Sequence, residues 1–271
     1  MKNHIYVLMS VVLWGTSQIL MDSLNQICSP ALLVFLRFLF SGTLLTLLFR
    51  KGRKPFLWRY FITGGLGCFG YYILTVYAMV MSSVSFVAIM GGCLPILAVI
   101  FDSVIVKQKV HKRQVLGAVV SLLGSFFYSF DADFKGTVAA GLLMVIANLL
   151  WLIYCYLKKK WGINDDIRIL GYEFICTAIL TLPLSFCFYM IKPINLYSFI
   201  QFIGVVLLAT ILPYWLYQKG SKGISLNTAS MYMNLLPVTT LLPVLLTGGI
   251  SISEKQILGI AVLILSALVG R

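Results

Sequence analysis

Long unbroken runs of apolar side chains dominate the chain, without the alternation of period two that marks a half-buried strand. A helix that crosses a bilayer needs about 20 mainly apolar residues at ~1.5 Å rise each. Runs of this kind occupy 5–21, 30–49, 60–80, 84–106, 114–130, 137–157, 168–190, 198–218, 224–248 and 254–270. They are rich in Leu, Ile, Val and Phe and lack the roughly ten-residue alternating pattern of a barrel strand. Lipid offers backbone N–H and C=O groups no partners, so the runs are predicted to be helices. The expectation is an all-α integral membrane protein with ten transmembrane helices. The longest connections, 50–59 and 158–167, are about ten residues, too short for a separate extramembrane domain.

Composition agrees: 60% of the residues are hydrophobic, 11% are charged and the mean hydropathy is +0.97. Soluble domains carry about 25% charged residues, so a soluble enzyme and a disordered chain are both excluded. The net charge of +13 raises nucleic-acid binding until the cations are located. Seventeen fall in alternate connections and at the termini, in the segments 2, 50–59, 107–113, 158–168, 219–222 and 271. Only Lys135, Lys192 and Lys255 fall on the other side, and Arg37 lies within a span. Because cationic loops are retained in the cytoplasm, both termini are expected to be cytoplasmic, in a multi-pass protein of the cell membrane. The positive charge then records insertion, and no nucleic-acid partner is expected. No small-residue cleavage site follows the first run, where Trp14, Gln18 and Met21 stand, so it reads as a retained helix. The six cysteines lack metal or disulfide spacing and read as packing residues; no metal or cofactor is expected.

The two halves, 1–136 and 137–271, resemble one another. Pro95 is followed after eighteen residues by Gln114-Val115-Leu116-Gly117, and Pro237 after eighteen by Gln256-Ile257-Leu258-Gly259, an offset of 142 in both cases. Leu13-Trp14 resembles Leu150-Trp151, and YAMVMSSVS from Tyr77 runs parallel to YQKGSKGIS from Tyr217. With five spans in each, an odd number, the second half is expected to be inverted relative to the first. In many secondary transporters such repeats place substrate near the midplane.

These residues resemble the EamA family of the drug/metabolite transporter superfamily over essentially the whole chain. The resemblance rests on Trp14-Gly15, Ser29-Pro30, Leu36-Arg37-Phe38, Tyr71-Tyr72, Tyr77-Ala78, Leu94-Pro95 and Gln114 to Gly117 in the first half. In the second half it rests on Leu236-Pro237 and on Ser253-Glu254 through Gly259. One departure is Lys107-Gln108-Lys109, where the family usually has an acid at the end of the fourth span; Glu254 keeps it in the second half. The resemblance implies a secondary carrier of small organic metabolites, often amino acids or their derivatives, commonly moved outward.

Charge within a span costs about 2.5–3.5 kcal/mol on insertion scales, which singles out Arg37 and Glu173. Aligning Arg37-Phe38 with Glu173-Phe174 makes them repeat equivalents, one expected toward each face of the membrane. The functional reading has both line a polar path, the Arg attracting carboxylate and the Glu an amine or a proton; the structural reading has each satisfied by neighbouring polar groups. Helical spacing adds candidates for the path: Trp14 with Gln18, Asn148 with Trp151, Asn234 with Asn227 and Met231, and Tyr214 with Gln218. Tyr77, Trp151 and Trp215 could stack on a ring or organic cation. Asp102 reads as interfacial, and Trp58 and Trp161 as interfacial anchors. Pro95 and Pro237 are expected to kink or hinge their helices.

The leading reading is a secondary transporter, most naturally an exporter, working by alternating access. The alternatives are an importer or exchanger of a small organic cation or nucleotide-like metabolite, a membrane scaffold subunit and an intramembrane enzyme. Against an enzyme, there is no G-x-S-x-G, and Asp22, Asp131 and Asp133 are expected in outer loops rather than paired at one depth. No Walker A sequence is present, leaving proton coupling, exchange or facilitated diffusion. Besides substrate, the expected partners are membrane lipid and protons, with the chain a monomer or homodimer.

Overall fold

Each apolar run is mainly helical over its described residues in the structure, a computed structural model that describes residues 2–49, 58–129, 136–163, 166–187, 191–246 and 253–270. Arg50, Lys51, Arg53, Lys54, Asp131, Asp133, Lys135 and Arg271, counted above, lie outside them. The first half contains α1 (Lys2–Asn25), α2 (Pro30–Leu48), α3 (Trp58–Val80), α4 (Val84–Gly91), α5 (Leu94–Val104) and α6 (Lys112–Tyr128). The second contains α7 (Val138–Lys160), α8 (Ile167–Cys187), α9 (Leu196–Ser221), α10 (Leu226–Met233), α11 (Leu236–Leu246) and α12 (Glu254–Val269). Among the described residues seven helices are long and apolar enough to cross a membrane: α1, α2, α3, the run Phe86–Val104, α7, α8 and α9. α1 continues past its expected end at 21, so Asp22 belongs to a helix, not to an outer loop; its side chain lies outside the description.

Backbone irregularities recur in corresponding places of the two halves. Gly64–Gly70 of α3 and Val205–Ile211 of α9 are both π-helical. In α9 the cause is Pro213, which has no N–H to offer the carbonyl of Ala209 four residues back. In α3, glycines permit close approach: a Cβ on Gly64 would stand 2.5 Å from the carbonyl oxygen of Glu173. The chain then breaks between α4 and α5 at Gly92-Cys93, and between α10 and α11 at Asn234-Leu235. In both places a proline follows within three residues, Pro95 or Pro237, so neither helix can continue its hydrogen-bond ladder through the junction.

Helix pairing has the same order. α2 packs along α8 and α6 along α12, while α1 contacts α9, α10 and α11, and α7 contacts α3, α4 and α5. Exchanging the halves maps this set of pairs onto itself. Residue contacts obey the exchange: Gly117 of α6 lies against Gly270, and Gly259 of α12 lies against Tyr128, each residue 142 from its counterpart. The buried core follows the junction of the halves, and Leu48, Val80, Leu142, Ile179 and Leu196 are exposed on the outside of the bundle.

Candidate functional site

Glu173 lies on α8 facing α7 and α3, and it is fully buried. Lys158, in the last turn of α7, donates to both of its carboxylate oxygens at 2.8 Å. Thr63 of α3 donates to Oε1 at 2.5 Å. Gln218 of α9 has its side-chain amide 2.5 Å from the Tyr154 hydroxyl and 3.5 Å from Glu173 Oε2. Thr177, one turn along α8, bonds the carbonyls of Glu173 and Gly64 at 2.9 and 3.2 Å and fixes the approach of α3. A carboxylate and an ammonium removed from water persist only with such partners, and loss of one leaves the other's charge uncompensated.

Lys158 corrects the sequence-based placement. It is 1% exposed, because α7 runs through Lys160 rather than ending at 157, so it belongs to the protein interior rather than to a solvated basic loop. Its signal was helical spacing: Trp151, Tyr154 and Lys158 fall at i, i+3 and i+7 on one face.

Beside the pair lies an aromatic cluster where the halves meet. Trp14 and Trp151, matched by the repeat, stand edge to face with centroids 6.2 Å apart. Tyr214 packs on Trp14 at 5.1 Å, and Tyr217 lies 5.6 Å from Trp14 and 5.3 Å from Trp151. Tyr71 closes on Trp151 at 5.2 Å. Phe38 and Phe174, also repeat equivalents, contact one another at 5.2 Å and join the cluster through Tyr214. Trp14 Nε1 donates to the carbonyl of Ala209 at 3.1 Å, the acceptor that Pro213 leaves without its α-helical donor. Trp151 is 2% exposed and Tyr217 is 2% exposed, so the aromatic side chains fill the middle of the bundle.

Arg37 is equally internal but differently held. It is 5% exposed, its Nη1 stands 3.5 Å from Met21 Sδ, and its guanidinium lies over the rings of Phe38 and Tyr72 at 4.6 and 4.7 Å. It makes no ion pair with Glu173.

Comparison with known proteins agrees with this architecture. The EamA-like transporter family matches residues 1–130 and 138–269. The chain belongs to that family. Among curated relatives, Protein PecM of Dickeya dadantii (strain 3937) is 24% identical over 278 residues, covering 99% of this chain and 92% of PecM. Uncharacterized transporter YyaM of Bacillus subtilis (strain 168) is 24% identical over 244 residues, covering 83% of this chain and 78% of YyaM. A solved crystal structure shares the fold at a TM-score of 0.85 with 18% identity, over 98% of this chain and 95% of that one.

In this EamA-like transporter the remaining candidates separate into two groups. Asn234 donates to the carbonyl of Gly92 at 3.2 Å and to the Ser121 hydroxyl at 2.7 Å, and Asn148 donates to the carbonyl of Met90 at 3.1 Å. Both therefore serve the break between α4 and α5, close to Pro95, and Pro237 follows the corresponding break. Tyr77 is 40% exposed and Gln18 is exposed, so neither joins the aromatic cluster, and the face shared by Trp14 and Gln18 points only partly inward. Asp102, near the end of α5, is buried, and its Oδ2 accepts from the backbone N–H of Asn227 at 3.3 Å, in the first turn of α10. Trp58 and Trp161 pack together at 5.8 Å, with Arg59 over the Trp161 ring at 5.4 Å.

Proposed function

We propose that the protein is a secondary-active carrier of small organic metabolites, amino acids or related compounds, that works by alternating access and moves its substrate outward. On this reading ten spans form two inverted halves in the cell membrane, with both termini in the cytoplasm. The halves rock against each other around the aromatic centre, and the helix breaks before Pro95 and Pro237 absorb the bending. No enzymatic step is assigned to the chain.

One observation carries the proposal: repeat-equivalent side chains, Trp14 with Trp151 and Phe38 with Phe174, meet at the junction of the halves beside the buried Lys158–Glu173 pair. A scaffold subunit has no need of two buried charges, which burial makes costly. A carrier has a use for them. Glu173 and its partners are placed to respond to a proton or to a substrate amine that competes with Lys158, and Trp14, Trp151 and Tyr214 form surfaces suited to an organic solute.

The test is transport by the purified protein in liposomes, using radiolabelled amino acids and derivatives with and without a pH gradient. Saturable flux that responds to the gradient, and loses that response in Glu173→Gln, supports the proposal. Absence of flux for the whole panel in both directions would refute it.

A further inference from the structure

α4 and α10 are repeat equivalents to the residue: Val84–Gly91 and Leu226–Met233 stand 142 apart at both ends. Their surroundings differ. Every side chain of α10 is buried, whereas Val87 is the buried one among the described side chains of α4. α5 packs along α10, with α1, α6, α7 and α12 around it, and no comparable packing of α11 on α4 is present among the described residues. On the inverted arrangement proposed above, such a difference between equivalent helices separates a state closed at one end from a state closed at the other.

α10 enters the bundle from the end that carries the basic connections 107–113, 158–168 and 219–222. There Asp102 of α5 accepts from the backbone N–H of Asn227 at 3.3 Å, where the positive end of a helix favours a carboxylate. Gln114 of α6 donates to the hydroxyl of Ser225, the N-cap of α10, at 3.5 Å. His4 of α1 shares a hydrogen bond of 2.8 Å between its Nδ1 and the Tyr232 hydroxyl. α1, α5 and α6 belong to one half and α10 to the other, so all three bonds cross the junction. The residue types at the opposite end cannot repeat two of them. In place of His4 and Tyr232 stand Gly141 and Met90, and a Cβ on Gly141 would lie 3.9 Å from Met90 Cε. In place of Asp102 the sequence has Val244. The closed end also carries a cost. Asn227 is 1% exposed, and neither polar atom of its side-chain amide has a hydrogen-bond partner. Water admitted at that end would satisfy the amide, so the end is held by few bonds and poised to open.

We infer that Asp102 and His4 latch the basic end of the transport path shut, by holding α10 of one half against α5 and α1 of the other, and that both bonds break when substrate enters from that end. The latch rests on the carrier reading above, but water access at α10 reports it without any flux, so either can fail while the other stands.

Hydrogen exchange read by mass spectrometry, on the full chain in phosphatidylcholine nanodiscs, follows local opening helix by helix. In the wild-type protein the amides of α10 should exchange more slowly than those of α4. Asp102→Leu and His4→Phe should each speed exchange in α10 about tenfold, the scale of one hydrogen bond, and leave α2 and α8 unchanged. Asp102→Asn retains an acceptor oxygen and should keep most of the protection. His4 is half-buried and meets the Tyr232 ring edge to face at 5.8 Å, a contact that Phe can keep, so His4→Phe tests the latch even if Asp102→Leu fails to fold. Equal exchange in α4 and α10 of the wild-type protein, or unchanged exchange in α10 of His4→Phe, would overturn the inference. So would equal acceleration of α2 and α8, which would make these bonds part of general stability and not a gate.

Discussion

Asn234 and Gly92 are 142 residues apart, the offset of the repeat, and the side-chain amide of one donates to the carbonyl of the other at 3.2 Å. The two helix breaks therefore meet, and each lies just before a proline. If bending at the breaks drives alternating access, Pro95→Ala or Pro237→Ala should slow exchange severalfold in liposomes without lowering thermal stability, because a continuous helix gains hydrogen bonds. Unchanged exchange rates would show that the breaks only shape the bundle. Asn234→Leu, by contrast, removes two interhelical bonds and should cost about 1 kcal/mol, at roughly 0.6 kcal/mol each, in denaturation measurements in detergent.

The Lys158–Glu173 pair predicts a non-additive pair of substitutions. Lys158→Met alone, or Glu173→Leu alone, leaves a buried charge without its partner and should destabilise by about 3–5 kcal/mol. The double variant Lys158→Met/Glu173→Leu leaves neither charge and should recover most of that loss. It should not recover any gradient-dependent transport. Additive losses in the double variant would mean that the two residues are stabilised separately rather than by each other.

Packing of α6 on α12 predicts a contrast among glycines. A Cβ on Gly117 would stand 2.8 Å from the Cα of Gly270, and one on Gly259 would meet the backbone of Tyr128. Gly117→Ala and Gly259→Ala should each cost about 1–3 kcal/mol by overpacking. Gly91, at the end of α4, has open space around a Cβ, and Gly91→Ala should be neutral or slightly stabilising. Thermal unfolding of the three variants separates tight helix contact from a general intolerance of larger residues.

Orientation can be read from one thiol. Cys187 is exposed at the end of α8, the end near Ile191, while Cys68, Cys155 and Cys176 are buried. In intact cells a membrane-impermeant maleimide should label Cys187, and a cysteine placed at Lys222 should label only after permeabilisation. The reverse pattern would invert the proposed topology.

Helix positions were legible in the chain because lipid leaves a continuous apolar run little alternative to a helix. The repeat was legible too, through Pro95 with Pro237 and Gln114 with Gln256. Lys158 was not. A lysine beside Lys159 and Lys160 reads as part of a solvated basic loop, and only the continuation of α7 through Lys160, opposite Glu173, takes it out of water. The partner of Asp102 was not legible either: its nearness to Lys107 along the chain says nothing of Asn227, 125 residues away. Gln18 sat at a suggestive spacing from Trp14, but spacing fixes which residues share a face and not where that face points.

The sequence by itself determined that the protein lies in a membrane, which stretches are helical and which residues of the halves correspond, since hydropathy and repeat spacing are properties along the chain. Tertiary structure decided which buried charges are paired. Lys158 and Glu173 neutralise one another across α7 and α8, whereas Arg37 meets Met21 at the corresponding place. That difference depends on which side chains face each other between helices, and in a low-dielectric interior it separates a closed ion pair from a cation held by a thioether and two aromatic rings.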